Sequence, residues 1–161
     1  MIQEIRLFYS PFKYFIAGHV CLIFKMADGR EIIISPQAET ESFSILRGFL
    51  RQYRLVYLIQ EYAEYKKQLT GIRRRPREVT LKISDTCANK IFNEMQQRAL
   101  HLNTTKVTYH VIFNSCITNT MAHLRIAKSY RKTIFEFLIY INPLFIPSAI
   151  MRSGGFIKKI L

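Results

Sequence analysis

The stretch from Gly18 to Ser35, GHVCLIFKMADGREIIIS, constrains the fold more than any other. Two β-branched and aromatic runs, GHVCLIFKM and EIIIS, are separated by a segment holding Asp28-Gly29. That dipeptide accepts the positive φ angles of hairpin turns. The pattern predicts an antiparallel hairpin that ends at Pro36, with His19 at its open end.

Other segments supply the partners such a hairpin needs. Residues 2–8 alternate weakly as a strand, and PQAETES (36–42) reads as a polar loop. Residues 43–69 are mixed. Their tyrosines suit strands, Val56 to Leu69 has helical spacing, and Gly48 argues against one long helix. EVTLKIS alternates as a strand. Ser84 or Asp85 then caps a helix along TCANKIFNEMQQRALHL, with Cys87, Ile91, Met95 and Leu100 near helical spacing. KVTYHVIF (106–113) reads as a further strand, followed by helices over 115–128 and 130–141. There is no internal repeat. This order predicts an α+β fold with a mainly antiparallel sheet packed against helices.

A chain of 161 residues, 49% hydrophobic, suits one domain with a real core. We read residues 1–134 as that domain and 135–161 as an apolar, basic segment packed on it or membrane-associated. FEFLIYINPLFIPSAIM, broken by Glu136, Asn142, Pro143 and Pro147, is a poor spanning helix. No clean secretory leader is read at the start, since Glu4, Arg6 and Lys13 interrupt the first fifteen residues. A cytoplasmic site and a trimmed leader both fit that.

Net charge is +13, from 24 Lys+Arg against 11 Asp+Glu, which favours an anionic partner. Arg73, Arg74, Arg75 and Arg77 form a phosphate-binding candidate, with a solvated loop as the alternative. No aromatics interleave with that run, which speaks against nucleic acid. Lys158 and Lys159, set among Phe156, Ile157, Ile160 and Leu161, suit an anionic lipid surface.

The three cysteines, Cys21, Cys87 and Cys116, are too few and oddly numbered for a disulfide framework. None has metal-ligand spacing, and no cofactor is expected. Cys116 lies in YHVIFNSCITNTMAHL, where a predicted strand hands over to a helix. There the macrodipole and the free N–H groups favour a thiolate and can hold an oxyanion. A histidine on a neighbouring strand, His19, could take and return the proton. Free cysteines are also often plain core residues. Cys21 shares the His19 strand face, and Cys87 reads as core. His101 closes a helix, while His110 and His123 look ordinary.

GHVCLIF resembles the G-H-x-x-L-x-[IF] signature that opens the Lnb-type N-terminal periplasmic domains. FSILRGF is similar to that family's segment around a glycine. YAEYKKQLTGIRRRPREVTLKIS is similar to its Tyr- and Arg-bearing region before a strand. YHVIFNSCITNTMAHL resembles its Tyr, Asn-Cys, small-polar block. The blocks cover roughly residues 10–128 in order. Two departures stand out: Ser115 separates Asn114 from Cys116, and Ile117 replaces a small polar residue, though Thr118 matches one. The same order, His before Cys, recurs in the permuted papain-like (NlpC-type) superfamily.

The resemblance implies a permuted papain-like fold, with Cys116 as nucleophile and His19 as base. Asn114, Ser115, Tyr109 and Cys21 would wall the site. A third polar group usually orients the histidine. If the turn pairs Ala27 with Arg30, residues near position 38 lie opposite His19. Gln37 and Glu39 are then the candidates, with Ser35 behind them. The implied function is that of a cysteine-dependent acyl hydrolase or acyltransferase acting on a lipid-linked or amide acyl group. The substrate would be an acyl-bearing lipid or lipopeptide of the bacterial cell envelope. Characterised members are longer and carry membrane helices that are not visible in this sequence. The alternative is a non-catalytic basic module of the same fold that contacts an anionic membrane or polymer. The sequence leaves the oligomeric state open.

Overall fold

The computed structural model describes residues 1–11, 18–40, 42–69, 76–126 and 157–160. Strands β1 (Ile2–Pro11), β2 (Gly18–Met26), β3 (Glu31–Ala38), β4 (Leu55–Glu61), β5 (Arg77–Leu81) and β6 (Ile157–Ile160) form one sheet. Its order is β4-β3-β2-β1-β5-β6, and every neighbouring pair is antiparallel. Helices α1 (Ile45–Phe49), α2 (Tyr62–Leu69), α3 (Asp85–Thr104) and α4 (Cys116–Ile126) fill the connections. The chain is therefore α+β with an antiparallel sheet, as its periodicities predict.

The expected hairpin forms, with a register one residue away from the expected one. Met26 N–H donates to the Arg30 carbonyl at 2.8 Å, and Lys25 faces Glu31. Three residues thus make the loop, with Gly29 at φ 86°, a conformation that costs glycine nothing. The Asp28 carboxylate accepts from Arg30 N–H at 3.0 Å and from Arg30 Nε at 2.8 Å, which holds the turn.

Alternation along the strands splits the core into two layers. On one face Leu7, Tyr9, Leu22, Phe24 and Ile34 meet Ile91 and Met95 of α3 and Met121 and Leu124 of α4. On the other, Phe8, Cys21, Ile23 and Ile33 meet Tyr62 and Tyr65 of α2. A register shift between Ile2 and Glu4 lets Ile2 and Ile5 share the first face.

Two segments differ from the expectation. Val56 to Leu69 carries helical spacing beside strand-favouring tyrosines, but LVYLIQE pairs with β3 from Ala38↔Leu55 to Ile32↔Glu61, and the helix starts only at Tyr62. Cross-strand pairing overrides the local spacing there. Residues 106–113 make no strand. They form isolated bridges, Arg54↔Thr108 and His110↔Asn114, around a tight turn. His110 Nδ1 accepts from the N–H groups of Ile112 and Phe113 at 3.1 and 3.2 Å, which closes that turn. Gly48 is the docking point of α1 on it: a Cβ there would lie 2.6 Å from Val111 Cγ2. The helix expected over 130–141 lies outside the described residues.

Candidate active site

Cys116 opens α4 because Ser115 caps it. Thr118 N–H donates to Ser115 Oγ at 3.3 Å, and Ser115 N–H donates to Thr118 Oγ1 at 2.7 Å. These reciprocal bonds make a capping box and leave Cys116 in the first turn, where N–H groups have no helical partner.

The α4 start is seated on β2. The β2–β3 ladder runs from Lys25↔Glu31 only to Leu22↔Ile34. Past that point α4 occupies the flank: Cys116 Sγ donates to the Gly18 carbonyl at 3.8 Å, and Thr120 Oγ1 donates to the Val20 carbonyl at 3.4 Å. The sulfur therefore touches the backbone of the residue next to His19.

The His19 ring reaches Ser35 Oγ from Nε2 at 2.7 Å, and Ser35 Oγ donates to Gln37 Oε1 at 3.3 Å. His19 shares its strand face with Cys21 and lies on the α2 side, whereas Cys116 belongs to the α3/α4 core cluster. Continuing the register sets Gln37 opposite His19 and Ser35 on the diagonal. Glu39 turns elsewhere, its carboxylate 3.9 Å from Arg54 Nη1. Asn114 braces the loop, donating to the Thr108 carbonyl at 2.8 Å and accepting from Asn119 at 2.9 Å.

The thiol is neutral, against the expected dipole-stabilised thiolate. Cys116 is 4% exposed, and burial pushes its pKa up. The N–H groups of Val20, Ile117 and Cys116 and the Tyr109 hydroxyl act in the opposite direction, and burial outweighs them. Burial and the adjacent Cys116 likewise raise the Tyr109 hydroxyl. Cys21 is raised well above its ordinary value, first by burial and then by Cys116, while Ser35 opposes this. Cys21 and Cys116 thus sense each other although they belong to opposite layers. Cys87 is half-buried at the start of α3, its N–H on Ser84 Oγ at 3.4 Å.

The family description "Lnb N-terminal periplasmic domain" matches residues 2–146. The chain belongs to this family. No curated protein and no solved structure matches it. The Lnb N-terminal match spans β1 to α4 and so includes His19, Ser35, Gln37, Tyr109 and Cys116.

Outside this group, Arg77 lies exposed at the start of β5, and Lys158 and Lys159 lie in β6 at the sheet edge. Arg73, Arg74 and Arg75 fall outside the described residues. Among the described residues no His, Cys, Asp and Glu groups could hold a metal, and no helix is long and apolar enough to cross a membrane.

Sequence reasoning passed over a second polar group on α4 of this Lnb N-terminal domain. Tyr57 Oη lies 2.9 Å from His123 Nε2 and donates to Asn119 Oδ1 at 3.2 Å. Burial, with the Arg98 charge, lowers the His123 pKa to about 4. The available signal was spacing: Cys116, Asn119, Thr120 and His123 follow at i, i+3, i+4 and i+7.

Proposed function

We propose that this Lnb N-terminal domain is a cysteine-dependent acyl hydrolase or acyltransferase of permuted papain-like fold, working in the cell envelope on an acyl-bearing lipid or lipopeptide. One observation carries the reading. A capped helix N-terminus seats the Cys116 sulfur on the Gly18 carbonyl, next in the chain to His19, whose ring is held by a Ser35–Gln37 hydrogen-bond chain.

Proton bookkeeping assigns the roles. The Ser35 hydroxyl gives its hydrogen to Gln37, so it accepts from Nε2–H of His19. With Nε2 on Ser35, Nδ1 is the nitrogen assigned the role of base. Among the described residues the β2–β3 ladder ends at Leu22↔Ile34, short of His19. In the reaction Nδ1 takes the thiol proton as Sγ attacks the acyl carbonyl carbon. N–H groups of the first α4 turn hold the oxyanion. Collapse breaks the bond to the alcohol or amine, which leaves with the proton from His19. Water or an acceptor alcohol or amine, deprotonated by His19, then cleaves the thioester. A neutral resting thiol makes the base essential.

The test is acylation by 4-nitrophenyl palmitate. The expected result is nitrophenol release and a thioester on Cys116 found by peptide mass mapping. Cys116→Ala abolishes both, and His19→Ala slows acylation by about 100-fold or more. Ser35→Ala slows it less. A thioester that fails to form, or forms equally on Cys87, or is indifferent to His19→Ala, would favour the second reading. That reading is a non-catalytic binding module, and the nearly complete burial of Cys116 supports it.

A further inference from the structure

Six large apolar side chains stand exposed on one side of the molecule: Phe43, Ile45, Leu46, Phe49, Leu50 and Phe113, the last two 59% and 73% exposed. They form one surface. Gly48 seats α1 between Val111 and Phe43, the Phe49 ring lies edge-on to His110 at 5.8 Å, and His110 lies 4.8 Å from Phe113. Water-soluble surfaces rarely gather so many such groups without a partner. Arg47 belongs to α1 and Arg51 to the turn that ends it, so two cations accompany the patch. Arg51 also holds φ 55°, a left-handed conformation that glycine would adopt without strain.

The patch leads inward to the sulfur. Phe43 stacks on Tyr53 at 5.6 Å and meets the Tyr109 ring edge-on at 5.8 Å, and the Tyr109 hydroxyl is near enough to Cys116 to shift its thiol. We propose that α1 and the 110–114 turn dock the domain on an anionic lipid bilayer, with the apolar side chains in the acyl boundary and Arg47 and Arg51 at the headgroups. Charge complementarity selects this occupant: an excess of thirteen positive charges opposes an anionic leaflet, and apolar groups flanked by arginine match its interface. The proposal deepens the acyl-lipid reading, because the docked face is the one joined to Cys116, and it is tested separately.

The experiment is flotation of the full chain with vesicles of phosphatidylglycerol and phosphatidylcholine in equal parts, or of phosphatidylcholine alone. The expected result is co-flotation with the anionic vesicles only, lost on adding salt. Leu46→Glu with Phe113→Glu removes it, while Leu100→Glu, an exposed leucine on α3, leaves it intact. Arg47→Gln with Arg51→Gly weakens it several-fold without straining the turn. Unchanged flotation of the Leu46/Phe113 double variant overturns the proposal, as does failure of the parent chain to float. A dimer dissolved by that double variant assigns the face to a second copy instead. A photo-crosslink from position 46 to residues 135–151 of the same chain assigns it to that segment. Acylation of Cys116 by the soluble ester needs no vesicle. A chain that acylates without floating loses only the docking proposal, and one that floats without acylating loses only the enzyme reading.

Discussion

The two faces of the sheet are held by different forces. The α3/α4 face is hydrocarbon from Ile2 to Leu124, and Cys116 forms part of it. The α2 face has a small aromatic cluster, with Phe8 edge-on to Tyr62 and Tyr65, beside a half-buried charge network. There Arg6 pairs with Glu31 and, at 2.5 Å, with Glu78, and lies over the Tyr62 ring, whose hydroxyl donates to Glu78. His19 and Cys21 belong to this second layer. The difference teaches where chemistry is possible. The thiol belongs to the dry layer and the imidazole to the polar one, and the sulfur meets β2 at the Gly18 carbonyl, next in the chain to His19, where the β2–β3 ladder has ended.

Substitutions on the two faces can break this contrast. The largest effect is expected from Phe24→Ala, which removes a fully buried ring packed on Phe92. It costs about 4 kcal/mol by urea unfolding, with little dependence on salt. Arg6→Met costs about 3 kcal/mol because it leaves three carboxylates, Glu4, Glu31 and Glu78, without their cation. Adding Glu78→Gln recovers part of that loss. Were Arg6→Met neutral, the second layer would be held by its aromatics alone.

Acid sharpens the contrast next. Folded His123 takes its proton near pH 4, whereas the unfolded chain takes it near 6.5. The unfolded state binds more protons in that window, so stability is full above about pH 6.5 and falls by roughly 3 kcal/mol toward pH 4. His123→Gln should flatten that part of the pH profile, measured by urea unfolding. Ser115→Ala is the smallest change, about 1 kcal/mol from a lost cap. It should also slow Cys116 acylation, since it loosens the turn that places the sulfur, while Ser84→Ala at the α3 cap should leave acylation unchanged.

Elements with strong local chemistry were legible in the sequence. The hairpin follows from its β-branched runs and Gly29, and α3 from its periodicity and Ser84. Cys116 at a helix start was legible from the handover of a β-favouring run to helical residues, and a capping box of Ser115 and Thr118 fixes it. Less of β4 could be read, because its pairing with β3 is a long-range contact that outweighs helical spacing. Residues 106–113 misled for the opposite reason: β-favouring residues found no strand to pair with along their length. Gln37 and Glu39 are the sequence's candidates opposite His19, with Ser35 behind them; a register one residue different puts Ser35 on the ring, while Glu39 lies near Arg54.

The sequence by itself determined the α+β class, the hairpin, the helix that begins at Cys116 and the membership in the Lnb N-terminal family, since local periodicity, caps and short motifs carry that information. The tertiary structure alone decided that Cys116 is a neutral, buried thiol, that Ser35 holds His19, and that α1 shows Ile45, Leu46 and Phe49 to solvent. Each of these depends on what residues distant in the chain place around a group, and desolvation, register and exposure have no local signature.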